Sequence, residues 1–329
     1  MKKETCISFF CGLLCMTSVT HGQGKAAADP AKPQLFGEGV ISTPYREWTT
    51  TFTPDGQTVY FSQGNFRYAI VYSEKIKGKW QKPKLAPFSG RWSDTDPFIT
   101  SDGKRLYFCS NRPADQDPAS PPAKRAHIWV VENVNNTTWS SPVLLDSPIN
   151  LAGASSWYPS ESENGNFYFH SGLRPGSLGT NSAIWMSRHE GGKFSPPVLL
   201  SIDTAGFNTQ ECRISHNDNY MVFVSNRPGS IGTTDLFISF HKDDRWSIPL
   251  NLGPSINIAG VANMAPALSP DGNMLYFVNS NVPDQGNPQR LPDYDALVAE
   301  ISSVYNGLWN IYYVPLDVQA LREKAVWGR

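Results

Sequence analysis

Beyond residue 30 the chain holds two cysteines, Cys109 and Cys212, too few for a disulfide scaffold. They lie in different repeats within apolar strand patterns, which fits either two buried thiols or one disulfide. No stretch past residue 30 is long and apolar enough to cross a bilayer as a helix. The formal net charge is −1, so there is no broad basic field for nucleic acid. Catalytic motifs are missing as well. There is no G-x-S-x-G elbow, no α/β-hydrolase half, no H-E-x-x-H, no P-loop and no dinucleotide fingerprint. The five histidines after residue 30 (His127, His170, His189, His216, His241) are scattered without close pairing. Neither a metal nor another cofactor is therefore expected.

The first residues read as a targeting segment. Lys2 and Lys3 precede a mostly apolar run from Ile7 to Val19, the length of a signal-peptide core. Residues 1–24 are expected to be a signal peptide, cleaved near Gly22 or Gly24, and 25–34 a linker. Leu14 before Cys15 is not the small residue that a lipoprotein signal requires, which argues against lipid anchoring there. The expected location is the periplasm or the extracellular medium.

What is abundant is aromatic residues, at 12%, with 26 glycines and 26 prolines. That mixture suits short strands joined by tight turns. Five segments share a turn followed by an aromatic strand. They begin at Thr53, Thr100, Ser162, Ser215 and Ser269, and their turns lie at Asp55-Gly56, Asp102-Gly103, Asn164-Gly165, Asn217-Asp218 and Asp271-Gly272. Such pairs between alternating runs predict hairpins with type I′ turns. Each copy continues with a polar loop, a third strand (from Ala69, His127, Ala183 and Asp235), an aromatic-x-x-Pro segment and a Leu-rich fourth strand. Repeats of about 50 residues, each a four-stranded antiparallel meander, bury their faces by radial stacking. The predicted fold is all-β, a five-bladed β-propeller over 35–329, with six blades as the other count considered. A β-sandwich would not repeat one loop chemistry five times.

The last copy has a third strand from Asn310 and no clear fourth. The N-terminal Leu35–Thr43 segment resembles the stretch before each turn, so it is expected to supply the missing outer strand. A rival alignment takes Asp295–Ile301 as the third strand and starts the fourth at Trp309. The 282–292 loop reads as a surface excursion.

The runs Asp94–Pro113 and Ser225–Ser239 resemble the WD40-like PD40 repeats of TolB-type proteins, and the similarity covers nearly everything past the linker. TolB's extra N-terminal α/β domain has no counterpart here, so its partners do not transfer. The resemblance implies an exported, non-catalytic binding or scaffold propeller of the cell envelope. Its partner would be a protein or a glycan, and it is expected to be monomeric. The resemblance also implies structural roles for Arg112, Arg174, Arg227 and Asp235, with arginine forks tying loop carbonyls or Asp235.

First strands line the axis of a propeller. Counting back eight from each turn gives Glu47, Asp94, Ser156, Thr209 and Asn263; counting back six gives Thr49, Asp96, Tyr158, Glu211 and Ala265. Strand periodicity predicts one shared face for the two rings. The candidate ligand-binding mouth is therefore Glu47, Trp48, Asp94, Asp96, Trp157, Tyr158, Glu211 and Arg213, with no residue assigned a catalytic role. The acids can serve as loop caps, or as a binding mouth in which aromatic faces stack on sugar. The alternative function is a glycosidase-like enzyme using Asp94 or Asp96 with Glu211.

Overall fold

The computed structural model describes residues 32–134, 138–177, 182–203, 206–280 and 290–327. The expected signal peptide, Cys15, most of the linker and most of the 282–292 excursion lie outside these residues.

The chain forms a five-bladed β-propeller. Each blade is an antiparallel meander. The first strands are Glu47–Phe52, Asp94–Ile99, Trp157–Glu161, Thr209–Ile214 and Asn263–Leu268. They lie against one another from blade to blade around the axis. Second strands (Thr58–Gln63, Arg105–Ser110, Asn166–Ser171, Tyr220–Ser225, Met274–Ser280) alternate their side chains between two neighbours. In blade 2, Leu106 and Phe108 pack toward blade 1, whereas Tyr107 and Cys109 pack toward blade 3. Five buried clusters result, one at each blade-to-blade interface. The period of two in the sequence thus covers both faces of every sheet.

The turns differ from the type I′ expectation. Gly56 N donates to Thr53 O at 2.8 Å and Gly103 N to Thr100 O at 2.8 Å. Gly56 and Gly103 have φ of 66° and 69°, but Asp55 and Asp102 do not enter that region. These are type I turns closed by a left-handed glycine. The preceding Thr hydroxyl donates to the Asp carboxylate at 2.6 Å in both. The carboxylate in turn accepts the N–H two residues on, which favours this turn over the mirror-image one.

The fourth strand is also not continuous. In blade 1 it survives as Lys79–Trp80 and Lys84–Leu85, either side of Pro83, which has no N–H to give. Ser73 Oγ donates to Gln81 O across the break, as Ser187 does to Ser195 O and Ser239 to Ser247 O. Interrupted outer strands present poor templates for edge pairing.

The ring closes through its N-terminal segment. Gln34 and Leu35 pair with Tyr313 and Tyr312, and Phe36 N donates to Ile311 O at 2.8 Å. The ladder is shorter than Leu35–Thr43, because Gly37 and Gly39 turn the chain away. The third strand of blade 5 is Trp309–Pro315, and the rival Asp295–Ile301 segment lies in a helix, Tyr294–Ile301. Asp293 caps that helix by accepting from Ala296 N, and its Ala-Leu-Val-Ala run carries no β-strand alternation. Cys109 and Cys212 are buried free thiols, not a disulfide.

The arginine forks hold the blade tops. Arg112 donates to Phe88 O and Asp94, Arg174 to Ile149 O and Pro148 O, and Arg227 to Ile202 O and Thr209 Oγ1. Each guanidinium also lies over two aromatic rings of its own blade. Asp235 accepts from Ile231 N, Gly232 N and Asn251 Nδ2, so it organises its own loop.

Phe36 is the plug of the closure. It lies edge-on to Phe52, Trp80, Tyr276 and Tyr313 with centroids 5.0–6.0 Å away. Phe36→Ala should cost about 3–5 kcal/mol in urea unfolding. A loss below about 1 kcal/mol would mean that the closure does not bear on stability.

Candidate functional site

Every first strand carries a β-bulge, and every bulge sits on the six-back ring. The register shifts between Trp48 and Thr50, Thr95 and Phe98, Trp157 and Ser160, Gln210 and Arg213, and Met264 and Ala267. Thr49, Asp96, Tyr158, Glu211 and Ala265 have φ of 28°, 54°, 58°, 52° and 53°. For a residue with a side chain this region costs on the order of 1–3 kcal/mol and needs compensation. The compensation comes from the blade before. Tyr158 N donates to Cys109 Sγ at 3.3 Å, Glu211 N to His170 Nδ1 at 3.0 Å, and Ala265 N to Glu211 Oε2 at 2.8 Å. Thr49 Oγ1 donates to Asp96 Oδ1 at 3.0 Å.

The bulges separate the two rings that regular alternation would place together. Glu47, Asp94, Ser156, Thr209 and Asn263 are all wholly buried, and each holds a blade top. Glu47 accepts from Thr43 N, Thr43 Oγ1 and Gln63 Nε2. Burial nevertheless raises its carboxyl to about 7. Asp94 accepts from Ser89, Ser110 and the Arg112 guanidinium at 2.6–2.9 Å.

Two members of the six-back ring, Asp96 and Glu211, instead line a cleft of about 640 Å³ to which all five blades contribute. Trp48, Trp157, Tyr68 and Met264 line it with Asp96, Glu211 and His170, and Lys124 and Arg125 come from the blade-2 loop. Of the mouth residues expected from sequence, Trp48, Asp96, Trp157 and Glu211 therefore share one space, while Glu47 and Asp94 do not line it. Tyr158 and Arg213 lie beneath. Tyr158 OH donates to Pro266 O at 2.8 Å, reaching from blade 3 to blade 5. Arg213 stacks on Phe98 and Tyr158 and donates to Pro159 O and Pro266 O.

Burial sets the protonation of the floor. Desolvation raises the Glu211 carboxyl to about 8, opposed by the Ala265 N–H, and the nearby Asp96 adds to the rise. Desolvation also raises Asp96, which meets hydroxyls at Thr49 and Thr95 and no guanidinium within hydrogen-bond reach among the described residues. His170 is pushed down to about 3 by burial. Its Nδ1 accepts from Glu211 N, so the neutral ring carries its proton on Nε2. Near neutral pH Glu211 and His170 are thus mainly uncharged, and burial pushes Asp96 in the same direction as Glu211.

Sequence reasoning did not single out His170, Tyr68, Met264, Lys124 or Arg125. His170 had a detectable signal, because equivalent rungs carry Ser62, Cys109, Val224 and Val278. The two cations sit in a loop whose return to the axis no local pattern specifies. Glu161 is a second polar exception. It stands on the rung of Phe52, Ile99, Ile214 and Leu268. There it pairs with Arg105 at 3.1 Å and His189 at 2.8 Å, beside a 720 Å³ cleft on the turn-bearing face. Among the described residues no group of His, Cys, Asp and Glu is placed to hold a metal ion.

The buried acid predicts a pH dependence. Folded, Glu211 keeps its proton up to about pH 8, whereas unfolded it ionises near 4.5. Stability from this residue is therefore intact below 4.5 and declines up to about 8. Glu211→Gln should flatten that decline, and its advantage over the wild type should grow between about pH 5 and about pH 8.5 in urea unfolding. Glu47 leaves a residual slope below about 7. Equal slopes in the two proteins would show that Glu211 is ionised in the fold.

No family model matches the chain, and no curated protein matches it. Solved structures with a similar fold include TolB from Acinetobacter baumannii, at 14% identity and a TM-score of 0.44, aligned over 83% of this chain and 55% of that one. An alpha-L-arabinofuranosidase from Lactobacillus brevis aligns at 14% identity and 0.48, over 84% and 91%. A GH43 endo-arabinanase from Bacillus licheniformis aligns at 12% identity and 0.48, over 88% and 98%. At these identities the likeness is one of fold.

Proposed function

We propose that this chain is an exported propeller of the PD40 (TolB-type) repeat family that binds a glycan of the cell envelope in its axial cleft and leaves it intact. The observation that carries the reading is the pairing of Trp48 and Trp157 with a floor of Asp96, Glu211 and His170 in one open space. Indole faces cover the apolar faces of sugar rings, and the floor groups meet hydroxyls. The N-terminal run from Lys2 to Val19 supports export.

Protonation weighs against catalysis. A glycosidase needs one carboxyl held neutral and a second held ionised, which requires environments that push the two apart. Burial pushes Asp96 and Glu211 the same way. Glu211 is also committed to the Ala265 N–H. The second reading, glycoside hydrolysis, rests on one observation, that two carboxyls share an aromatic-walled cleft with Glu211 protonated as a general acid would be.

A glycan array probed with the purified protein should give ligands that remain unhydrolysed. Trp157→Ala should weaken binding about tenfold, or about 1.4 kcal/mol. Release of new reducing ends, abolished by Glu211→Gln, would replace this reading with the enzymatic one. Array binding unaffected by Trp157→Ala would remove the axial cleft as the site.

A further inference from the structure

The mouth of the axial cleft is unevenly charged. First and second strands are antiparallel and joined by turns on one face. The chain entering each first strand and leaving each second strand therefore lies on the opposite face, with the cleft. In blades 1 and 2 those segments are 43–46, 64–68, 86–93 and 111–126. Apart from the buried Arg112 they carry five cations, Arg46, Arg67, Arg91, Lys124 and Arg125, against two acids, Asp115 and Asp117. Both acids are engaged within their own loop. Asp115 accepts from Asp117 N and Ser120 Oγ, and Asp117 accepts from Ala119 N.

Two of the cations reach the cleft itself. Lys124 and Arg125 are exposed and line it. Arg91 lies over the Trp92 ring, and Arg67 donates to Arg91 O at 2.8 Å, so the two loops are tied together. A single small anion would need one such group. Two cations at a cleft that also holds two indoles, with three more on the same face of the same two blades, match a chain that repeats both a ring and a negative charge. The acids beneath do not oppose such a ligand, because burial favours their neutral form.

We infer that the ligand of the axial cleft is an acidic oligosaccharide, a chain of uronate residues whose rings lie on Trp48 and Trp157 and whose carboxylates meet Lys124 and Arg125. This rests on the cleft being a glycan site and adds the class of glycan. The carboxylate spacing of the ligand sets its register, and the indoles set its depth.

Calorimetric titration with tetragalacturonate and with its neutral methyl ester tests this. The acid should bind about tenfold or more tightly than the ester at low salt, and added salt should narrow the gap. Lys124→Ala with Arg125→Ala, both exposed and outside the core, should bring the affinity for the acid down to that for the ester. Trp157→Ala should weaken both ligands. Equal affinity for acid and ester, or a preference that survives the double variant, overturns the acidic class and leaves the glycan site standing. Failure of both ligands to bind overturns the acidic class as well. If a neutral-glycan array is then also blank, the glycan reading falls with it.

Discussion

The molecule depends on five backbone positions in the left-handed region, one in each first strand. No glycine occupies them: they are Thr49, Asp96, Tyr158, Glu211 and Ala265. Each bulge breaks the ladder of its own blade, and at Tyr158, Glu211 and Ala265 the freed N–H goes to the preceding blade. The interfaces are built on apolar clusters, and polar bonds between blades fix the rotation of one sheet against the next. Hydroxyls further along the strands repeat the device. Thr51 Oγ1 accepts from Ile99 N and Ser160 Oγ from Ile214 N, both at 3.0 Å. Directional bonds supply the register that non-directional burial does not.

The same device makes the site. Residues forced out of the ladder near the axis leave their side chains where the blades converge, and that is where Asp96, Glu211 and Tyr158 are found. Two aspartates two residues apart show how much the surroundings decide. Asp94 is clasped by Arg112, Ser89 and Ser110 and belongs to a blade top. Asp96 meets hydroxyls, and burial favours its proton. The cost of hiding a carboxyl is met by a cation in one case, and in the other burial raises the carboxyl. Glu211 and His170 serve the fold and the cleft together, so changes there disturb both stability and any ligand.

Much of the architecture was legible because each repeat obeys local rules. The Asp-Gly and Asn-Gly turns, the aromatic second strands and the prolines after the third strands marked five blades, and the missing outer strand pointed to the N-terminus. Where reading went astray, a local preference was met in more than one way. An Asp-Gly pair serves type I as well as type I′ turns, and at Asp55 the carboxylate bond to Gln57 N accompanies the former. The site was legible in part. Trp48, Asp96, Trp157 and Glu211 were reached by counting from the turns, but Glu47 and Asp94 came with them because alternation carries no sign of a bulge.

The sequence alone determined the meander within each blade and pointed to five blades over six, whereas the N-terminal closure was settled against its rival alignment only by the pairing of Gln34 and Leu35 with Tyr313 and Tyr312. The meander and the blade count follow from patterns of two and of about 50 residues that can be read along the chain. Only the tertiary structure decided which acids face the cleft, that burial raises the Asp96 and Glu211 carboxyls, and that Lys124 and Arg125 line the cleft. Those outcomes depend on what the neighbouring blade presents across the interface, and no pattern inside one repeat encodes its neighbour.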